Sequence, residues 1–502
     1  MTDISKRENF KVLIVYPNLT MMLVPSLAIG IFTRILKKEK YQVSLFDTTH
    51  YVSDENSSPQ NRVKFLQARE FDESNDLGVR IKTDLIADFV DTINSLKPDL
   101  LLYSVVEDCY EQTLSLMDAI KDYNIPHLVG GVFPTAAPEM CIQNKLINMI
   151  GIGEGEQIII DVSESIRLKK SIESIPGTWV RSGGKIIKNP RPSIKPIDDY
   201  IPDFSLFDKT RFNRPMGGRM FRTIPVETYR GCPFQCTYCN SPMQTKLARD
   251  NKIGNFLRRK TMDNLKIEIK QLIKRFNPQF LYFIDDSFTA RSKDEVFSFC
   301  DMYEQFRLPF WFNTRPETTT PEMMRRLKEV GAYRISFGIE SGNEQYRKKV
   351  LKRNGTNKEL RETFNQIANS GIPFSLNLII GMPGETRDLS DADLLTVSSP
   401  ILLERYKNLK PHLVYHSFDD SVLADMSNLE GEHGTKRNDL SFIGNFHRPE
   451  RRYWMLRELL EKTDIQVWGF ESKIQTNYKK GGKEALKNLL RPFLKSIVES
   501  FC

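Results

Sequence analysis

Three of the seven cysteines stand within eight residues, in the run Gly231-Cys232-Pro233-Phe234-Gln235-Cys236-Thr237-Tyr238-Cys239-Asn240. The spacing is C-x3-C-x2-C. Thiolates at that spacing on one loop can hold three irons of a cubane [4Fe–4S] cluster and leave the fourth iron without a protein ligand. An open coordination position is what a catalytic metal site needs and a structural site avoids. Two other readings compete. A structural zinc wants four ligands, usually as two spaced pairs, and the nearest histidines in the sequence are His127 and His412. Three core cysteines by coincidence would not be separated by Pro, Gln and Thr. The odd number of cysteines also argues against a disulfide framework. The donor set therefore reads as Cys232, Cys236 and Cys239, with Cys109, Cys141, Cys300 and Cys502 outside it.

Such a loop has to be held at a strand end. From Thr223 onward, strands are expected at Ile224–Tyr229, Phe280–Ile284, Phe310–Phe312, Arg334–Phe337, Phe374–Ile380 and His412–His416. Helices fall between them, among them Leu265–Arg275 and Pro321–Val330, the latter with Pro at its start and Gly331 just past its end. This rhythm predicts a partial (β/α)6 barrel over 223–420, with its chemistry on the loops that leave the strand carboxyl ends. Residues 1–165 alternate in the same way. Strands are expected at Lys11–Tyr16, Gln42–Phe46, Leu100–Tyr103, Pro126–Val129 and Ile147–Ile152. Helices are expected at Ser26–Lys37, Leu85–Leu96, Gln112–Lys121 and from Gln157. The pattern predicts a doubly wound parallel sheet with an insertion at 53–75. Residues 166–222, with a hairpin-like turn at Ser182-Gly183-Gly184 and a proline-spaced run, read as a linker. Residues 421–502 read as a mainly helical C-terminal region. There Leu486, Leu489, Leu490, Phe493, Leu494, Ile497 and Val498 share one helix face.

Composition narrows the class. At roughly 150 residues per domain, 502 residues suggest three domains. The 72 Lys and Arg exceed the 64 Asp and Glu by only eight, which permits anionic ligands without demanding nucleic acid. No window supplies the apolar length of a membrane span, and Val12–Tyr16 is too short for a signal peptide. A soluble cytoplasmic protein is the expectation.

The cysteine loop resembles that of the radical S-adenosylmethionine (SAM) superfamily, which places an aromatic residue before the third cysteine. Tyr238 holds that position. The resemblance implies a cluster whose free iron is chelated by SAM, and reductive cleavage of SAM to a 5′-deoxyadenosyl radical that abstracts hydrogen. It also assigns the later strand ends. Phe283–Phe288 carries Asp286; Ser336–Gly342 carries Glu340 at the position that meets the ribose; Asn377–Glu385 carries Gly381 in the segment against the adenine. Arg315, at the third strand end, is a candidate partner of the SAM carboxylate, with a structural salt bridge as the alternative.

The first sheet ends in loops of its own. They are Ser104-Val105-Val106-Glu107-Asp108, Gly130-Gly131-Val132-Phe133-Pro134-Thr135 and Gly153-Glu154-Gly155-Glu156. Ligands of open α/β sheets sit at such ends, and glycines there admit a phosphate-bearing cofactor close to the backbone. No G-x-G-x-x-G fingerprint is present, and two acids in the last run would repel a pyrophosphate unless they aim elsewhere. In this order the segments resemble the cobalamin-binding domain that precedes the barrel in one radical SAM subclass, a likeness running from about Lys11 to Pro383. It implies a flavodoxin-like domain that holds cobalamin over the cluster, lined by Ser104, Val105, Gly130, Gly131, Thr135, Gly153, Glu154, Gly155 and Glu156, with Val105–Asp108 beneath the corrin. Asp47-Thr48-Thr49-His50 lacks the D-x-H-x-x-G spacing, so no lower-face histidine ligand is expected.

The implied activity is methyl transfer to an unactivated carbon of a small molecule or natural-product precursor, with electrons from a donor such as flavodoxin or ferredoxin. An oxidative or ring-forming enzyme resembling the anaerobic porphyrin cyclases would use the same cofactors. A tRNA-modifying enzyme would need a strongly basic surface, and a non-enzymatic metal module would complete its ligand set. Where relatives carry a Pro-Gly-Thr-like segment after the sixth strand, this chain reads Ser417-Phe418-Asp419-Asp420-Ser421-Val422-Leu423, so the substrate subgroup stays open.

Overall fold

Lys11–Tyr16 (β1) buries four consecutive residues, Val12 to Val15, as a strand covered on both faces must. It pairs in parallel with Gln42–Asp47 (β2) on one side and Leu100–Ser104 (β3) on the other. His127–Gly130 (β4) and Met149–Gly151 (β5) extend the parallel sheet. The order β2-β1-β3-β4-β5 is flavodoxin-like, with its topological switch between β1 and β3. The structure is a computed structural model and describes residues 7–20, 22–52, 78–198, 200–216 and 219–379.

The segment expected as a linker contributes strands. Thr178–Ser182 (β6) and Lys185–Lys188 (β7) turn at Gly183-Gly184 and add antiparallel to β5. The turn was legible, but two short runs carrying Arg181, Lys185 and Lys188 do not read as sheet. Charge on an edge strand is how a sheet end avoids further pairing.

The second sheet contains Asn213–Met216 (β8) and Arg219–Val226 (β9). Tyr229–Arg230 (β10) and Arg258–Arg259 (β11) form a separate two-stranded ribbon. Phe280–Phe283 (β12), Phe310–Thr314 (β13), Ala332–Glu340 (β14) and Phe374–Leu378 (β15) complete the larger sheet, in the order β15-β14-β13-β12-β9-β8. From β9 to β15 each neighbouring pair is parallel. This is the wall of a partial barrel, and its strands match the first five expected. Helices return between strands at Met262–Phe276, Lys293–Tyr303, Pro321–Val330 and Asn357–Ala368. Each starts at a Ser or Thr whose hydroxyl accepts a first-turn N–H, and Ser292 and Thr356 form full capping boxes with Glu295 and Glu359.

One face of the first sheet (Leu13, Val15, Leu101, Tyr103) packs on helices Leu85–Leu96 and Tyr110–Ala119. The other face (Val12, Ile14, Leu100, Leu102) belongs to a core that continues through Phe204, Phe207 and Phe212 to the helix side of the barrel, including Leu265, Phe299 and Leu327. The two sheets thus share apolar contacts. The expected strand at 412–416, the insertion 53–75, the segment 417–423 and the helix over 486–498 lie outside the described residues, as does Gly381. Among the described residues no helix is long and apolar enough to cross a membrane.

Candidate functional site

The ribbon β10–β11 launches the cysteine loop from the carboxyl end of β9. Gly231 follows it at φ +92°, where a Cβ would stand 3.0–3.1 Å from the ring and carbonyl of Phe256. A side chain there is excluded by both backbone and space. The buried Asp285, at the end of β12, ties the loop to its neighbour. It accepts from the Thr228 N–H (2.7 Å), the Tyr229 N–H (3.2 Å), the Thr228 hydroxyl and Arg291 Nη2 (2.9 Å). Asp286, the residue expected at the site, is the exposed neighbour.

All three cysteines are free, with Cys236 buried, Cys232 half-buried and Cys239 exposed. Burial pushes the Cys232 thiol up to about 11 and raises that of Cys239. Two donors already face sulfur. Ser241 N–H, at the start of helix Ser241–Asp250, lies 3.5 Å from Cys239 Sγ, and Arg315 Nη1 lies 3.4 Å from Cys236 Sγ. Among the described residues no three His, Cys, Asp or Glu side chains converge on the position of one ion. A cubane takes one thiolate per iron, so its ligands stand apart.

Beside Cys236 lies a chain of alternating charge in which Arg315, Arg353 and Glu340 are buried and Glu317 is partly open to solvent. Arg315 stacks on the Phe234 ring (3.7 Å) and reaches Glu317 through Nη2 (3.2 Å). Glu317 faces Arg353 at 3.5 Å. Arg353 in turn donates to Tyr238 Oη (3.0 Å), to Glu340 (3.0 Å) and to the Gly338 carbonyl (2.6 Å). Glu340 ends β14 at φ +72°, an unusual conformation for a non-glycine residue. Burial raises its carboxyl, with Arg353 opposing. The loop is also pinned by Thr237, whose N–H and hydroxyl donate to the carbonyls of Leu351 (3.4 Å) and Val350 (2.8 Å). Tyr238, Arg315 and Glu340 were expected here from sequence. Arg353, Glu317 and Asp285 were not. Arg353 stands in the basic run 347–353, which reads as a solvated surface until the fold buries it.

At the first sheet the loops after β3, β4 and β5 are cross-linked. Val105 N–H donates to the Gly130 carbonyl (2.8 Å), and Phe133 N–H to the Val105 carbonyl (3.2 Å). Gly131, at φ +112°, lies so close that a Cβ would stand 2.5 Å from the Val105 oxygen. The buried Thr135 hydroxyl donates to the Gly131 carbonyl (2.8 Å) and accepts from Gly153 N–H (3.0 Å). Ser104, at the end of β3, pairs with Gly130, and Gly155 lies against the Phe32 ring. Val105 is buried under this knot, while Val106 and Val132 are exposed. A flat apolar ligand would therefore meet Val106 and Val132 in place of the Val105 side chain.

Glu154 and Glu156 aim elsewhere. Arg230 reaches Glu156 at 2.7 Å and Glu154 at 3.2 Å, while holding Glu227 in a fork of two 2.9 Å bonds. Arg258 holds Glu154 through both Nη1 and Nη2. The loop of the first sheet is thus ion-paired to the ribbon that carries Cys232. His50 contacts the Thr210 hydroxyl at 3.3 Å, away from these loops' hydrogen bonds.

Two domain models match this chain: the B12 binding domain over 63–163 and the radical SAM superfamily over 226–395. The chain thus combines a region similar to the B12 binding domain with one similar to the radical SAM superfamily. Among its relatives is "uncharacterized methyltransferase PH0819" of Pyrococcus horikoshii, 23% identical over 61% of this chain and 66% of that one. Another is the anaerobic magnesium-protoporphyrin IX monomethyl ester cyclase of Rubrivivax gelatinosus, 24% identical over 61% of this chain and 55% of that one. The chain spans about half to two thirds of the length of these curated relatives. Its fold is shared with the radical SAM methyltransferase TsrM of Kitasatospora setae, solved with cobalamin and a [4Fe–4S] cluster. The TM-score is 0.55 at 14% identity, covering 88% of this chain and 84% of that one.

Proposed function

We propose that this chain is a cobalamin-dependent methyltransferase that acts on an unactivated carbon of a small molecule. The observation that carries the reading is three free cysteines on one strand-end loop, with N–H donors already aimed at two of the sulfurs. Cys232, Cys236 and Cys239 would hold the [4Fe–4S] cluster. The N–H donors of Ser241 and Arg315 favour the thiolates of Cys239 and Cys236, while burial still raises the Cys232 thiol. Tyr238 and Glu340, oriented by Arg353, would hold SAM, whose ribose hydroxyls need acceptors and whose adenine needs a flat neighbour. Asp286 and Gly381 complete the proposed SAM contacts. Ser104, Gly130, Gly131, Thr135 and Gly153 would support cobalamin through backbone and hydroxyl groups. Glu154, Gly155 and Glu156 would act by fixing that loop. Bound together, the cofactors would supply hydrogen-atom abstraction and a transferable methyl group. The protein's part is orientation and exclusion of water. A flavodoxin or ferredoxin would supply electrons, no nucleic-acid partner is invoked, and the cytoplasm is the proposed compartment. The proposed domain limits are 1–165, a connecting 166–222 whose strands β6 and β7 complete the first sheet, 223–420 and 421–502.

A second reading rests on one observation. The cyclase relative matches as much of the chain, at similar identity, as the methyltransferase relative. Ring closure with the same cofactors is therefore the alternative. Anaerobic reconstitution with iron and sulfide, then titration with hydroxocobalamin, tests the common part. About four irons, one cubane, with near-stoichiometric cobalamin after desalting is expected. Iron without cobalamin would overturn both readings, and zinc would overturn the cluster. Product mass then separates an added methyl group from a lost pair of hydrogens.

A further inference from the structure

Arg315 was a candidate partner of the SAM carboxylate with a structural salt bridge as the alternative, and the structure shows the salt bridge, to Glu317. Its surroundings suit a different task. Nη1 points at Cys236 Sγ (3.4 Å), Nη2 at Glu317 (3.2 Å), and the guanidinium plane lies on Phe234, inside the cysteine loop itself. The residue is buried, and its Nε–H is buried without an acceptor among the described residues. Glu317 is held from behind by Arg353, which also anchors Glu340 and Tyr238. Burial alone would raise the Glu317 carboxyl, but the two arginines outweigh it and hold the group below its ordinary range. Glu317 is thus a fixed anion that orients Arg315. Two of the three arms of the guanidinium are fixed by protein atoms, one of them a cluster-ligand sulfur.

From this geometry we infer that Arg315 is a tuning residue of the cluster: its charge and its N–H···S bond raise the reduction potential of the iron–sulfur centre. A one-electron reduction adds negative charge to the cluster and its thiolates. A fixed cation hydrogen-bonded to one of those sulfurs stabilises the reduced form more than the oxidised form. Phe234 covers the guanidinium and keeps water from screening it. The inference rests on the cluster proposed above.

The test is a redox titration of the reconstituted, SAM-free protein, followed by the electron paramagnetic resonance signal of the reduced cluster. Arg315→Met is expected to bind about four irons, one cubane, and to show a midpoint shifted to more negative potential. Arg315→Lys keeps the charge without the fork and should fall between Met and wild type. It also serves if the Met variant fails to retain iron. SAM affinity is measured in parallel. An unchanged midpoint in both variants, with weakened SAM binding, would overturn the inference and return Arg315 to the SAM carboxylate. Wild-type protein that assembles no cubane would instead sink the cluster assignment, a separate failure visible in iron content alone.

Discussion

Arg353 joins four groups of different origin: a tyrosine of the cysteine loop, a strand-end glutamate, a backbone carbonyl of the same strand and a glutamate from the next loop. No single pair in this set would justify burying a guanidinium. The set does, because both terminal nitrogens find acceptors or an anion, although Nε stays buried without a partner among the described residues. Replacing Arg353 by Met leaves the buried Glu340 and the partly exposed Glu317 with less than their share of positive charge. The expected loss is about 3–5 kcal/mol, the range for breaking a buried ion pair from one side, read by urea unfolding of the apo protein. Arg353→Lys should recover only part of it, since an ammonium is a compact charge without the guanidinium's fixed fork of donors. Tyr238 and Glu340 were legible because they sit at fixed offsets from cysteines or a strand end. Arg353 was not. Its sequence neighbours are Lys348, Lys349 and Lys352, and nothing local distinguishes a cation that will be buried. Cys239→Ala, at an exposed position, should cost little stability yet lower iron content sharply after reconstitution, a contrast that separates ligation from packing.

Among the elements, the loop after β5 and the ribbon β10–β11 are linked by charge. Glu154, Glu156 and Glu227 meet Arg230 and Arg258. Arg230→Met removes a cation shared by three carboxylates. A destabilisation of about 3 kcal/mol is expected by the same reasoning as for Arg353. Iron retention and cobalamin uptake should fall together, because the ribbon carries Cys232 and the loop carries Gly153. A variant that lost one cofactor and kept the other in full would show that the ion pairs do not connect the two loops. The strands themselves were legible from short apolar runs, and helices Leu85–Leu96 and Pro321–Val330 fell on the expected residues. The two acids in the glycine-rich run raised a question that sequence alone left open. Their answer lay in arginines about 75 and 100 residues further on, beyond the reach of any local pattern.

At the scale of the whole molecule, Asp203 joins the two sheets' helices. It sits 2.7 Å from Arg275 on a barrel helix and 3.5 Å from Lys37 on a helix of the first sheet, and it accepts the Ser205 N–H (2.9 Å). Burial alone would raise its carboxyl, but these donors outweigh it and hold the group at about 2. The folded value lies below the unfolded one of about 4. The stabilisation is therefore complete above about pH 4 and is lost as pH falls toward 2. Asp203→Asn should be less stable than wild type by about 2 kcal/mol near neutrality. That gap should narrow as acid unfolding is measured from pH 4 downward. A gap independent of pH would assign the effect to packing. The sharing of one apolar core by both sheets was not legible, because periodicity marks which face of a strand is buried and not what lies across from it.

The interlocked acids and arginines also bear on how such chains can be recombined. A cut placed in the connector, between the first sheet and the barrel, would look natural from element boundaries. It would nevertheless transplant Glu154 and Glu156 without Arg230 and Arg258, leaving anions on one graft and cations on the other. Chimeras between members of this family should therefore be viable only when donor and recipient agree at these four positions, or when the ribbon travels with the sheet. The unit of exchange in this molecule is larger than the unit of fold.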